Sequence, residues 1–109
     1  MDALTALADP TRRRIVELLG QGERSAGELG RQFAISQPGM SRHLRVLRES
    51  GLVRVREDGR RRVYELEPGP FAELDAWLEP FRAAWAQRLD ALDTEIRRGR
   101  SDRRRRQDA

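Results

Sequence analysis

Residues 25–64 read SAGELGRQFAISQPGMSRHLRVLRESGLVRVREDGRRRVY, and the order of signals along this stretch decides the fold. Ser25-Ala26-Gly27-Glu28 is a capping box, in which a serine oxygen and a glutamate three residues on satisfy N–H groups that a helix start leaves without partners. A helix is therefore expected from Ala26, with Leu29 and Phe33 on its buried side. Ala34-Ile35-Ser36 breaks that spacing, and Ser36 caps a second helix whose first turn holds Pro38, where a missing N–H does little harm. This second helix runs from Gln37 to Ser50 and stops at Gly51, a residue suited to the left-handed conformation that ends helices. Two helices thus meet across a three-residue turn.

At 100° per residue, Met40, Leu44 and Leu47 share the core-facing side of the second helix, while Ser41, Arg42, Arg45 and Arg48 spread over the far side. Leu52 to Arg56 and Arg62 to Leu66 then alternate with period two and contain β-branched residues, the pattern of two strands. Between them Asp58-Gly59 is the favoured pair for a tight hairpin turn, which would put Arg60, Arg61 and Arg62 at its tip. Upstream, Asp9 caps a further helix that opens with Arg12, Arg13 and Arg14. The expected fold is mainly α with a small β-hairpin: a winged helix-turn-helix in the order α-α-α-α-β-β-α.

That arrangement matches the chemistry of duplex DNA. Arginine can fork onto the O6 and N7 acceptors of guanine, and glutamine onto N6 and N7 of adenine, so Gln37, Ser41, Arg42 and Arg45, with Ser36 at the helix start, are candidate groove contacts. Arg60, Arg61 and Arg62 suit phosphates or a narrow minor groove. The net charge of +4 conceals a segregation that points the same way. Residues 11–62 carry 13 Arg against 6 acids, whereas residues 63–98 carry 4 Arg against 8 acids.

The C-terminal third carries an apolar stripe instead. Phe71, Leu74, Trp77, Leu78, Phe81, Trp85, Leu89, Leu92 and Ile96 fall within about 120° on one helix. Pro80 removes an N–H from it, so this last helix is expected to be kinked or split at Pro80, into 71–78 and 80–98. A small body cannot cover that much aromatic surface, and large exposed patches mark interfaces, so a homodimer is expected. Residues 1–98 should form the DNA-binding and dimerisation domain, and the Arg-rich residues 99–109, which have almost nothing apolar to pack, a disordered basic tail.

Asp9-Pro10-Thr11-Arg12-Arg13-Arg14-Ile15, Ile35-Ser36-Gln37-Pro38-Gly39-Met40-Ser41-Arg42-His43-Leu44, Gly51-Leu52-Val53 and Gly59-Arg60-Arg61-Arg62-Val63-Tyr64, in that order, resemble the ArsR/SmtB transcriptional repressors over about residues 3–98. The resemblance implies a homodimer that occupies an imperfect inverted-repeat operator and blocks transcription, often of its own operon. By position, Gln37, Ser41 and Arg42 match the family's base-contacting surface and Arg60 its wing tip. Leu4 and Leu7 on the first helix and Phe81, Trp85, Leu89 and Leu92 on the last match its dimer interface. Many members sense metals through a Cys pair on the first motif helix or through Asp and His ligands on the last. Here the first position falls near Ser25 and Ala26, and the last helix offers Asp90, Asp93 and Glu95 but no His. Metal sensing is therefore not expected, nor any cofactor.

Other classes fit poorly. Zero Cys rules out disulfide or thiol switching. An enzyme is not expected: no Cys nucleophile exists, the single His43 has no partner at a diagnostic spacing, and no phosphate-cradling Gly loop follows a strand. His43, at the edge of the core stripe, is read as a packing or hydrogen-bonding residue. Neither a stretch of ~20 apolar residues nor a signal-peptide pattern is present, so no membrane is involved and a cytoplasmic location is expected. A small-molecule effector stays open, since the last helix offers aromatic walls without a polar anchor. The rival reading is a winged helix used for protein–protein contact, against which the exposed arginines argue. Gly30, inside a helix, suggests close approach of the crossing helix or simply drift.

Overall fold

The computed structural model describes the backbone of residues 1–108; Ala109 and the side chains of residues 105–108 lie outside that description. In chain order the elements are α1 (Ala3–Leu7), α2 (Pro10–Gly20), β1 (Arg24–Ser25), α3 (Ala26–Gln32), α4 (Gln37–Glu49), β2 (Val53–Asp58), β3 (Arg61–Leu66) and α5 (Pro68–Asp108). Each of the first four helices begins at a side chain that accepts a backbone N–H: Asp2 from Thr5 at 2.7 Å, Asp9 from Arg12 at 2.9 Å, Ser25 from Glu28 at 3.1 Å and Ser36 from Gly39 at 3.1 Å. At the far end of α4, Gly51 adopts φ +80°. Its N–H bonds to the Arg48 carbonyl and that of Leu52 to the Leu47 carbonyl, both at 3.0 Å, the paired bonds of a Schellman motif.

The chain divides into two compact units, residues 1–73 and 74–109. Within the first, Ala6, Ile15, Leu19, Leu29, Met40, Leu44, Leu47, Leu52, Val53 and Tyr64 form one buried cluster, with Phe71 of α5 packed against it. Helices α1 to α4, strands β2 and β3 and the first turn of α5 therefore contribute to a single core. Gly30 faces open space, with no heavy atom within 4 Å of where a Cβ would stand, so close approach of α4 is not its reason.

Three features depart from the sequence reading. The expected hairpin is a three-stranded antiparallel sheet in the order β1-β3-β2, because Arg24 pairs with Tyr64 and Ser25 with Val63. Two residues are too few to display alternation, and their strand character comes from β3. Ser25 is thus both the end of a strand and the cap of α3, which fastens the start of α3 to the wing.

The turn also differs. Asp58 pairs with Arg61, leaving Gly59-Arg60 as the two-residue loop, with Gly59 at φ +63° in the first central position. That is the type II′ arrangement rather than an Asp-Gly pair. Of the three arginines expected at the tip, only Arg60 stands there; Arg61 and Arg62 lie in β3.

Finally, α5 is one helix from Pro68 to Asp108 with Pro80 inside it, not split in two. The lost N–H falls on an exposed side, where water can take its place. Arg82 reinforces the turn before the proline by donating to the Asp75 carbonyl at 2.8 Å and pairing with the Asp75 and Glu79 carboxylates at 2.7 and 2.8 Å. Residues 99–108, expected to be disordered, continue the same helix. Arginine is a good helix former, and after Gly99 neither Gly nor Pro interrupts.

Candidate nucleic-acid interface

Helix α4 separates its two sides cleanly. Met40, Leu44 and Leu47 are buried, while Gln37, Ser41, Arg42, Arg45 and Arg48 are all exposed. Gln37, Ser41, Arg45 and Arg48 follow one another at spacings of four, four and three, so they form a continuous stripe. Ser36 is exposed at the start of that stripe and its oxygen is occupied as the cap. The helix is also anchored from behind. Arg12 Nη1 lies 3.4 Å and Asp9 Oδ2 3.9 Å from His43 Nδ1, while Arg12 Nε donates to the Ala6 carbonyl at 2.7 Å. His43 thus joins α4 to the start of α2 through hydrogen-bonding groups.

The wing closes a concave face beside this stripe. A groove of about 430 Å³ runs between α3, α4 and β3, with Gln37, Ser41, Leu44, Arg62 and Tyr64 among its lining residues. A second, of about 500 Å³, lies between the start of α3 and the wing and holds Glu28, Arg31, Arg60, Arg61 and Arg62. A third, of about 120 Å³, is bounded by Ser41, Arg45, Arg48 and Arg62. Arg62 borders all three, with its guanidinium 5.9 Å from the centre of the Tyr64 ring. The three share Arg62 and form a connected, arginine-edged concavity, suited to a polyanion.

Not every wing arginine is available to a ligand. Arg54 bonds Glu65 at 2.8 Å, Arg56 takes both oxygens of Glu23 at 2.6 and 2.9 Å, and Arg61 pairs with Glu28. The carboxyl of Glu23 is held below its ordinary value first by the Arg56 hydrogen bond, and that of Glu28 first by the Ser25 hydroxyl, with Arg61 and Arg24 adding their charge. Arg31, Arg42, Arg45, Arg48, Arg60 and Arg62 have no carboxylate within 4.0 Å among the described residues. Of the eight residues read as DNA contacts, Gln37, Ser41, Arg45, Arg60 and Arg62 line this concavity with no carboxylate partner, while Ser36 and Arg42 are exposed on α4 outside its lining. The eighth, Arg61, lines it but is neutralised. Arg31 was not singled out in the sequence; its position three after Glu28, on the same side of α3, is the signal that could have found it.

The residues read as a dimer interface fall in both units. Leu4 is exposed on α1, whereas Leu7 is half-buried against the core. On α5, Trp77, Phe81, Trp85, Leu89, Leu92 and Ile96 are each between 45% and 60% exposed, and the Trp77 and Phe81 rings stand 4.9 Å apart. Among the described residues no group of three His, Cys, Asp or Glu is placed to hold a metal ion. No described helix is long and apolar enough to cross a membrane.

Comparison with known proteins agrees with this geometry. A family model described as a helix-turn-helix domain matches residues 7–56. The HTH-type transcriptional regulator Rv2034 of Mycobacterium tuberculosis is 46% identical over 87 residues, 80% of this chain and 78% of that protein. The transcriptional repressor SdpR of Bacillus subtilis is 33% identical over 76 residues, 70% of this chain and 84% of that protein. Among solved structures, an ArsR family transcriptional regulator superposes with a TM-score of 0.66 at 35% identity, covering 75% of this chain and 84% of its own.

Proposed function

Because the chain belongs to the ArsR/SmtB family of winged helix-turn-helix transcriptional repressors, we propose that it works as a homodimer whose two α4 helices lie in successive major grooves of an imperfect inverted repeat. The observation that carries this reading is the exposed stripe Gln37–Ser41–Arg45–Arg48 with Arg42 beside it, backed by a helix locked to the core through Met40, Leu44 and Leu47. A rigid rod bearing forked donors is what direct readout of base edges requires. Arg60 and Arg62 on the wing supply phosphate contacts, which fix register and carry no sequence information. Two-fold symmetry sets the spacing of the α4 pair at about 34 to 36 Å, one helical turn of DNA.

Pairing is assigned to the exposed aromatic and aliphatic stripe of α5; on α1, Leu4 is exposed for such a role, whereas Leu7 packs against the core. Repression follows by steric exclusion of polymerase from the occupied operator, in the cytoplasm. The chain offers no thiol and a single imidazole, already engaged by Arg12 and Asp9, so the reading is of a repressor that does not sense soft or borderline metals. Selection of bound fragments from random duplexes, repeated with a chelator and with added zinc, tests target and sensing together. Recovery of one inverted repeat under all three conditions is expected. Failure to enrich any sequence would refute the operator-binding role, and zinc-dependent release would refute metal independence.

A further inference from the structure

The groove between the start of α3 and the wing is edged by four arginines, Arg31, Arg60, Arg61 and Arg62, and by one carboxylate, Glu28. That carboxylate is engaged twice at the same oxygen: Ser25 Oγ donates to Glu28 Oε1 at 3.1 Å, and the Arg61 guanidinium pairs with it. The side chains of Arg61 and Glu28 are 59% and 36% exposed, so an incoming anion can reach both. We infer that Glu28 is a built-in counter-ion that withholds Arg61 from the DNA backbone, and so lowers the share of the protein's affinity that is independent of sequence. This deepens the DNA-binding role proposed above and rests on it.

The physics lies in ion release. A free guanidinium that neutralises a phosphate liberates a condensed cation, and each such contact steepens the logarithmic salt dependence by about 0.9. Arg61 escapes that rule in either of two ways. If it stays with Glu28 the pair carries no net charge, so a phosphate touching its remaining N–H groups releases no net cation; if it leaves, the bared carboxylate offsets the charge it brings to the DNA. Arg60 and Arg62, with no carboxylate within 4.0 Å among the described residues, count in full. An exposed ion pair is weak, so breaking it would cost DNA about two- to fivefold in affinity. That loss falls equally on operator and random duplex, because phosphates are the same in both.

Glu28→Gln separates this role from a structural one, since glutamine also serves as the third residue of a capping box. Binding to operator and to random duplex would be titrated by fluorescence anisotropy between 50 and 300 mM salt, beside a thermal melt of each variant. Glu28→Gln is expected to tighten both complexes about two- to fivefold and steepen the slope by about 0.9, with the melting temperature little changed. Arg61→Ala alone should leave the slope nearly unaltered, and in the Glu28→Gln background should return it to that of the native protein. An unchanged slope in Glu28→Gln, or a flattening by about 0.9 in Arg61→Ala alone, would overturn the inference by making Arg61 an ordinary phosphate contact. Weaker binding by Glu28→Gln would also overturn it, leaving Glu28 as a wing support. A native protein that bound no duplex at 50 mM salt would sink the DNA-binding role itself, an outcome distinct from these.

Discussion

Replacing Trp85 by aspartate should dissociate the proposed dimer, and the size of the effect can be worked from the surface. Trp85 is 57% exposed on α5. A tryptophan buries up to about 250 Å², so roughly 140 Å² of this ring is open to a partner. At about 25 cal/mol per Å², covering it is worth about 3.5 kcal/mol per copy, or about 7 kcal/mol for a symmetric pair in which both copies contribute. Even if the partner covers only half of that surface, about 3.5 kcal/mol is at stake, which corresponds to several hundredfold in Kd. Aspartate adds the cost of placing a charge against Phe81, Leu89 and Leu92. The core is not the target of this change, because every residue of the buried cluster and those packed on it lies at or before Phe71. Sedimentation equilibrium at micromolar concentration should give twice the chain mass for the native protein and the single chain mass for Trp85→Asp. A variant that remained dimeric with an unaltered Kd would refute the assignment of this stripe to pairing.

Other consequences are smaller and independent. Gly30→Ala should raise stability by about 0.5 to 1 kcal/mol, since it stands inside α3 facing open space; a urea midpoint that falls would mean that the groove wall needs the missing Cβ. The carboxyls of Asp2, Asp9, Glu23 and Glu28 are all held below their ordinary values, led respectively by the Thr5 N–H, the Arg12 N–H, the Arg56 guanidinium and the Ser25 hydroxyl. Their stabilisation is complete above the unfolded carboxylate range, about 3.9 to 4.3, and is lost as pH falls through the lower folded values. The melting temperature should accordingly drop below about pH 4, less steeply in Asp9→Asn, and a rise on acidification would contradict this. Deleting residues 99–109, which hold 5 Arg against 2 acids, should flatten the salt dependence of DNA binding if this basic end of α5 meets phosphates; an unchanged slope would remove it from the interface.

What the sequence revealed, and what it hid, follows from how local each signal is. The capping box at Ser25, the cap at Ser36, the stop at Gly51 and the two sides of α4 are each written within about four residues, and all stand as read. β1 could not be found this way, because a two-residue strand exists only by pairing with Tyr64 and Val63 about 40 positions on. The Gly59-Arg60 turn was missed because Asp58 can sit either in the loop or at the end of a strand, and only the register against Arg61 decides. Charge pairing was the least legible. Glu23 with Arg56 and Glu28 with Arg61 are each 33 residues apart, so a run of three wing arginines looked uniform although one of them is neutralised. Pro80 argues for a break through its missing N–H, and the Arg82 contacts that brace the preceding turn are not written in the apolar pattern around it.

Interference by guanine N7 methylation on the selected operator asks most directly whether the exposed side of α4 reads the major groove, since N7 lies on that edge alone. The native protein should show two clusters of blocked guanines centred about 10 base pairs apart, and Arg42→Ala should lose one blocked guanine in each cluster with a weakening of about 1 to 3 kcal/mol. Binding that tolerated methylation at every guanine and was equally weakened on operator and random DNA by Arg42→Ala would show that α4 does not read bases.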